Sequence, residues 1–101
     1  MAFAQIIPPG TGAVATKADY DATVFGTVIL VADALATTET ATVFVKVNGS
    51  YVPMVNPGGT AVSLTATVPA VVLPGGVTYG VTKAATASAC GVFGAGIPRL
   101  T

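Results

Sequence analysis

Hydrophobic and polar residues alternate in two segments near the middle of the chain. Residues 41–47 and residues 60–68 each place an apolar residue at every second position. A period of two is typical of a β-strand that buries one face. Together with a strand expected over residues 77–83, these segments supply the predicted core. The residues expected to form that core are Val43, Val45, Val47, Val62, Leu64, Val68, Val77, Tyr79 and Val81.

Residues 23–32 differ from this pattern because they are apolar almost throughout. A continuous apolar run of this length predicts a strand covered on both faces, either inside the sheet or at a subunit interface. Residues 12–21 are mostly small or polar, and this composition predicts a loop. A last strand is expected over residues 89–95, after a loop of small residues at 84–88.

Asn48-Gly49 is the strongest turn signal in the chain. Both residue types accept the positive φ that a tight hairpin requires, so residues 41–47 and 51–55 are predicted to pair. Pro53 lacks an N–H, which predicts an edge strand or a bulge at that position. Further turn residues occur at 56–59 and 73–76.

The regular spacing of strands and turns predicts the fold class. We expect an all-β protein, namely a small antiparallel β-sandwich or partly open barrel of about six or seven short strands. An extended N-terminal arm (residues 1–10) precedes a single domain (residues 11–96), and a C-terminal tail (residues 97–101) follows it. The pair Pro8-Pro9 ends the apolar part of the arm.

Both ends of the chain carry apolar side chains outside the main strand pattern. Termini fray unless something holds them, so either these segments dock on a neighbouring chain or the arm adds a strand to its own sheet. Phe44 is a further contact candidate, because it lies on the strand face opposite the predicted inward valines. The candidate protein-interface residues are Phe3, Ile6, Ile7, Phe44, Ile97, Arg99 and Leu100.

Composition narrows the range of possible functions. The 101 residues include four basic and four acidic side chains, and 52% are hydrophobic while only 8% are charged. Phosphate neutralisation needs a basic face, so we expect no nucleic-acid partner. No apolar run reaches the ~20 residues of a membrane span, so we expect no membrane partner. A neutral, apolar-rich chain favours association with other proteins.

The sequence offers little catalytic chemistry. There is no histidine to act as a general base, and Cys90 is the single cysteine. Asp19 and Asp21 supply too few oxygen ligands for a divalent cation and are interpreted as part of a solvated turn. We therefore expect no enzymatic activity, no metal site and no cofactor.

Two internal motifs and a pair of residues near the end of the sequence carry a resemblance to a known group of proteins. Residues 42–54 read TVFVKVNGSYVPM, residues 73–79 read LPGGVTY, and the chain closes with Pro98-Arg99 before its last two residues. This combination resembles small virion structural proteins of tailed bacteriophages, in which a similar hairpin precedes a Leu-Pro turn and a tyrosine-bearing strand. Gly80 follows Tyr79 at a position where those proteins often carry a bulky polar residue.

The resemblance implies a capsid decoration (cement) protein. Such a protein is made in the host cytoplasm and resides on the virion surface. It binds across subunits of the major capsid protein, stabilises the head and is commonly a homotrimer. Two alternatives remain open: a β-sandwich binding or adhesin module of a phage tail or fibre, and a polymerising tube or pilus-type subunit.

Overall fold

The computed structural model describes residues 3–55, 58–59 and 62–98, and within these residues every regular element is a β-strand. The all-β prediction is therefore confirmed. The bounds of the strands are β1 Ala4–Gly10, β2 Val14–Asp21, β3 Phe25–Ala32, β4 Ala41–Val47, β5 Ser50–Pro53, β6 Ser63–Leu64, β7 Ala70–Pro74, β8 Thr78–Lys83 and β9 Cys90–Pro98. The described residues thus form nine strands rather than the expected six or seven, because β1, β2 and β7 were not counted as strands of the domain.

The strands form two antiparallel sheets that pack on each other. Sheet A has the order β1-β9-β3-β7, and sheet B has the order β2-β8-β4-β5. The short strand β6 pairs with the beginning of β4, whose end pairs with β5. Antiparallel sheets with one buried face each are the architecture that alternating strands favour.

The inward faces of the two sheets form one core. In β3 the buried residues are Val28, Leu30 and Ala32, which alternate with half-buried neighbours. Of the core residues predicted from the sequence, Val43, Val62, Leu64, Tyr79 and Val81 are buried, and Val45 and Val77 pack partly buried against them. Val47 and Val68 were expected in the core but are about half exposed, because β4 ends at Val47 and the chain leaves sheet B before Val68.

The hairpin between β4 and β5 forms as predicted. Asn48 has a φ of 49° and Gly49 a φ of 82°, which are the paired positive values of a two-residue turn. The flanking residues Val47 and Ser50 face each other across the turn. Pro53 ends β5 on the edge of sheet B, where its missing N–H costs no ladder hydrogen bond.

The prediction of a loop over residues 12–21 is wrong. This segment contains β2, which forms an edge of sheet B and pairs with β8. Tyr20 is the buried residue of the strand, while Lys17 and Asp19 face outward. Charged side chains are a common protection of an edge strand against pairing with other chains. The polar composition is therefore that of an exposed edge strand.

The prediction of a strand over residues 60–68 holds only for Ser63–Leu64. After β6 the Thr65 hydroxyl accepts the backbone N–H of Val68 at 3.0 Å, and this contact turns the chain. The chain then enters β7, a strand of sheet A that the sequence did not predict. Residues 60 and 61 lie outside the described residues.

The N-terminal arm adds a strand to its own sheet, which is one of the two alternatives that the sequence left open. β1 pairs with β9, with register shifts after Gln5 and after Ile7. These shifts let Ile6 and Ile7 both turn toward the core, where Ile7 is 1% exposed. Ile6 and Ile7 of the arm thus complete the core of this chain.

Candidate interaction surfaces

The outward side of sheet A is an apolar surface, which we call the outer A face. Antiparallel pairing places Ile29 beside Ala95 and Val72, and Val31 beside Phe93 and Ala70. The residues of the outer A face are Phe3, Gln5, Thr27, Ile29, Val31, Ala70, Val72, Pro74, Phe93, Ala95 and Ile97. Gln5 and Thr27 are its only polar side chains within the described residues.

Several side chains of the outer A face are open to solvent. Val72 is 69% exposed, Ile97 53% and Phe3 52%. The four strands of sheet A contain no charged residue within their bounds. Soluble monomers seldom leave a contiguous apolar surface of this kind uncovered, and such surfaces mark protein contacts.

Two shallow grooves run over the outer A face, and Phe3 borders both. One has a volume of about 340 Å³ and the other about 270 Å³. Ile29, Val72 and Ile97 line the larger groove, whereas Val31 and Phe93 line the smaller one. Because the linings are almost wholly carbon, these grooves suit apolar side chains rather than a ligand that needs oriented hydrogen bonds.

The outward side of sheet B has the opposite character. It carries a group that we call the tyrosine cluster, formed by Lys17, Asp19, Phe44, Lys46 and Tyr51. The Tyr51 hydroxyl donates a short hydrogen bond to the Asp19 carboxylate, and the Lys46 amine lies 3.4 Å from the other carboxylate oxygen. The Lys17 amine lies 5.0 Å from the centre of the Phe44 ring, a cation–π distance.

Gly80 creates the space in which Tyr51 lies. A Cβ atom at Gly80 would stand 2.6 Å from the Tyr51 ring and 3.1 Å from the Lys17 side chain. The ring therefore crosses β4 and reaches β8, which brings its hydroxyl to Asp19 on β2. The glycine that follows Tyr79 thus has a packing role in this chain.

The hydrogen bond between Tyr51 and Asp19 shifts the pKa values of both groups. Accepting the hydroxyl lowers the pKa of Asp19, with Lys46 adding to the effect. The same bond, together with the nearby negative charge, raises the pKa of Tyr51.

Asp21 forms a separate contact, because its carboxylate accepts the Thr23 backbone N–H at 3.0 Å and the Thr23 hydroxyl at 2.6 Å. The two aspartates therefore serve different contacts and lie in a strand and at its end, rather than in a solvated turn.

A buried lysine joins β8 to the end of β1. Lys83 is 4% exposed, and its amine donates to the Gly10 carbonyl at 2.9 Å. The Thr86 hydroxyl lies 3.4 Å from the same amine and donates to the Ser88 carbonyl at 2.7 Å. These contacts hold the loop after β8 against the chain between β1 and β2.

The predicted interface residues fall in different environments. Phe3 and Ile97 lie on the outer A face and line the same groove. Ile6 packs partly buried against the core, and Ile7 is buried in it, so neither offers its side chain fully to a partner. Phe44 belongs to the tyrosine cluster and lies partly under Lys17. Arg99 and Leu100 lie outside the described residues.

At the centre of the outer A face, the sequence pointed only to the apolar run 23–32, which was expected inside the sheet or at a subunit interface, and none of its residues was among the candidate interface residues. Ile29 and Val31 belong to the apolar run 23–32, whose two apolar faces were the available signal. The sequence did not indicate Val72 or Phe93 as contact residues. β7, which contains Val72, was not predicted as a strand, and most other residues of β9 are small, so Phe93 did not stand out as part of an apolar face.

Other chemical groups are dispersed over the described residues. Cys90 is buried in the core, as expected for a small apolar side chain. Across residues 3–55, 58–59 and 62–98, no group of three or more acidic, histidine or cysteine side chains is arranged to hold a metal ion. The described part of the chain also has no helix of the length and hydropathy that a membrane span requires.

Comparison with known proteins gives no relative for this chain. No protein-family model matches it, and neither the curated proteins nor the solved structures contain a match.

Proposed function

We propose that this protein is a non-enzymatic structural protein of a viral particle, a capsid decoration protein that binds across subunits of the capsid. The difference between the two outer surfaces of the sandwich carries this proposal. The outer A face is an uncharged apolar surface that suits contact with another protein chain, and the tyrosine cluster on the opposite side leaves a second, polar surface for a different partner. The virion surface is the location that this role implies.

A decoration protein acts through binding equilibrium. A ligand that binds only the assembled shell stabilises the shell by mass action, without any chemical step. Rigidity favours this role, because a preorganised surface loses little conformational entropy on binding. Two sheets packed around one core, with Tyr79 donating its hydroxyl to the Pro74 carbonyl at 2.5 Å, supply a rigid scaffold.

The assignment to a virus draws support from the resemblance to phage virion proteins. Both motifs behind that resemblance form ordered parts of the fold. The segment 42–54 is the β4–β5 hairpin, and the segment 73–79 links β7 of sheet A to β8 of sheet B. The motifs are therefore structural features of a small sandwich, which is the kind of module that a decoration protein requires.

A test of this proposal starts from the genes next to the one that encodes this chain. We expect a major capsid protein gene among them. The purified chain, mixed with shells assembled from that capsid protein, should co-sediment with the shells and raise the temperature at which they dissociate. The unassembled capsid protein serves as the control and should bind far less. A chain that stays in the supernatant beside intact shells would contradict the proposal.

The tyrosine cluster supports a second candidate function, that of a binding module on a phage tail or fibre. It presents two aromatic rings with charged side chains beside them, a combination that can stack on a sugar and form hydrogen bonds with it. A glycan array would test this candidate. Binding that is lost in Tyr51→Ala, and retained in a variant of the outer A face such as Val72→Ser, would favour it over the decoration role.

A further inference from the structure

We infer that the outer A face is a self-association surface, on which a second copy of this chain stacks its own outer A face about a two-fold axis. The resulting dimer would have four β-sheet layers, with the A sheets of the two copies in the middle. This inference deepens the proposed function and rests on it for the role of the assembly, but the contact itself can be measured independently.

The charge distribution favours a second copy as the occupant. In a two-fold contact the same surface meets itself, so a charge near the axis would face its own copy, and a charge elsewhere would need an opposite charge at the position that it meets. The four strands of sheet A have no charge, whereas β2, β4 and β8 of sheet B contain Lys17, Asp19, Asp21, Lys46 and Lys83. Because the charged residues of the two sheets lie in sheet B, the outer A face can contact its own copy without burying a charge.

The size of the face is close to what a specific dimer needs. β1, β3, β7 and β9 have seven, eight, five and nine residues. At a rise of about 3.3 Å per residue and a strand spacing of about 4.8 Å, they project a surface of roughly 460 Å². Two copies would hide about 900 Å² in projection, and more in accessible surface because the side chains make the face uneven, which is near the lower bound for a biological interface.

The shape of the face also suits stacking. Sheets pack about 10 Å apart with interdigitating side chains. On the outer A face, Val72, Ile97 and Phe3 project into solvent beside grooves of about 340 and 270 Å³. Ridges and grooves on the same surface are what a self-complementary contact requires. Stacking leaves the tyrosine cluster exposed on both sides of the dimer, where it can meet a different partner.

Sedimentation equilibrium of the full chain tests this inference. We expect twice the mass of one chain, with dissociation at about micromolar concentration or below. Val72→Asp places a charge on the face twice in each dimer, and we expect self-association to weaken at least ~100-fold. Ile97→Asp should have the same effect from a different strand, β9. Val47→Asp is the matched control, because it makes the same change at an exposed valine of sheet B, and it should remain dimeric.

Circular dichroism would confirm that each variant keeps its β-structure. A monomeric wild-type chain, a three-fold assembly, or a dimer that persists in both Val72→Asp and Ile97→Asp would overturn the inference. Shell binding, measured separately, distinguishes this result from a failure of the proposed function. A monomer that binds shells contradicts the stack alone, whereas a dimer that does not bind them contradicts the decoration role alone.

Discussion

The hydrogen bond between Tyr51 and Asp19 is the most distinctive contact of a single residue pair in sheet B. It joins the two edge strands β2 and β5 across the sheet, and Gly80 leaves the space that the Tyr51 ring occupies.

A lowered pKa of Asp19 means that its contribution to stability is present above its unfolded pKa of about 3.9 and is lost as the pH falls through the folded value. A raised pKa of Tyr51 means the reverse: its contribution is present below about pH 10 and is lost as the pH rises through the folded value.

Asp19→Asn should therefore lower the pKa of Tyr51 toward its ordinary value. The substitution removes the carboxylate that accepts the hydroxyl and repels the phenolate. Absorbance titration of the tyrosines would measure the shift. Tyr20 and Tyr79 provide an internal control, because burial raises their pKa values and the substitution leaves that burial unchanged. A titration curve identical to that of the wild type would show that the bond is absent in solution.

Lys83 is a second residue whose effect should be measurable. Lys83→Met keeps most of the apolar stem but removes the two hydrogen bonds that the buried amine donates, to the Gly10 carbonyl and to the Thr86 hydroxyl. We expect a loss of about 1–3 kcal/mol in the free energy of unfolding. Lys46→Met is the control, since its ion pair is exposed and should change stability by less than about 1 kcal/mol. Equal urea midpoints for the two variants would contradict a structural role for Lys83.

At the scale of the strand, glycines in β9 leave the space that two aromatic rings, one from β2 and one from β3, occupy. Gly94 and Gly96 face inward, and the rings of Tyr20 and Phe25 lie against them with centroids 6.4 Å apart. A Cβ atom at Gly96 would stand 2.2 Å from the Phe25 ring. The glycines of this strand thus supply the space that the aromatic pair fills.

Gly96→Ala should destabilise the fold by about 1–3 kcal/mol, because the added methyl group forces the Phe25 ring to move. Gly12→Ala is a matched control, since a Cβ atom there would meet nothing within 4 Å. Urea unfolding of both variants would measure the difference. If Gly96→Ala were as stable as Gly12→Ala, Phe25 would not occupy this position in solution.

Some of the nine strands could be predicted from the sequence, and others could not. The β4–β5 hairpin was predictable because strict alternation and Asn48-Gly49 act locally. β2 was not, because an edge strand needs few apolar residues. β7 escaped prediction because it is five residues long, follows Pro69 and ends at Pro74, so its formation depends on pairing with the distant strand β3.

At the scale of the whole molecule, the two sheets have different outer surfaces. The sequence predicts association through its neutral, apolar composition, but composition does not show where the apolar surface lies. Its location depends on β7 and β9 flanking β3 and on β1 flanking β9, and this arrangement follows from long-range pairing. Phe3 and Ile97 were predicted as contact residues because they lie near the chain ends. Ile29 lies in the apolar run 23–32, which was expected inside the sheet or at a subunit interface, whereas Val72 and Phe93 become contact candidates only once the sheet has formed.

Hydroxyl-radical footprinting with mass spectrometry tests the central claim, that the outer A face is covered in the assembled protein. The aromatic residues Phe3 and Phe93 report on that face, and Tyr51 reports on the opposite side of the sandwich. As the protein concentration rises from a dilute to a concentrated solution, we predict that modification of Phe3 and Phe93 falls while that of Tyr51 stays constant. Modification of Phe3 and Phe93 that does not change with concentration would contradict the claim.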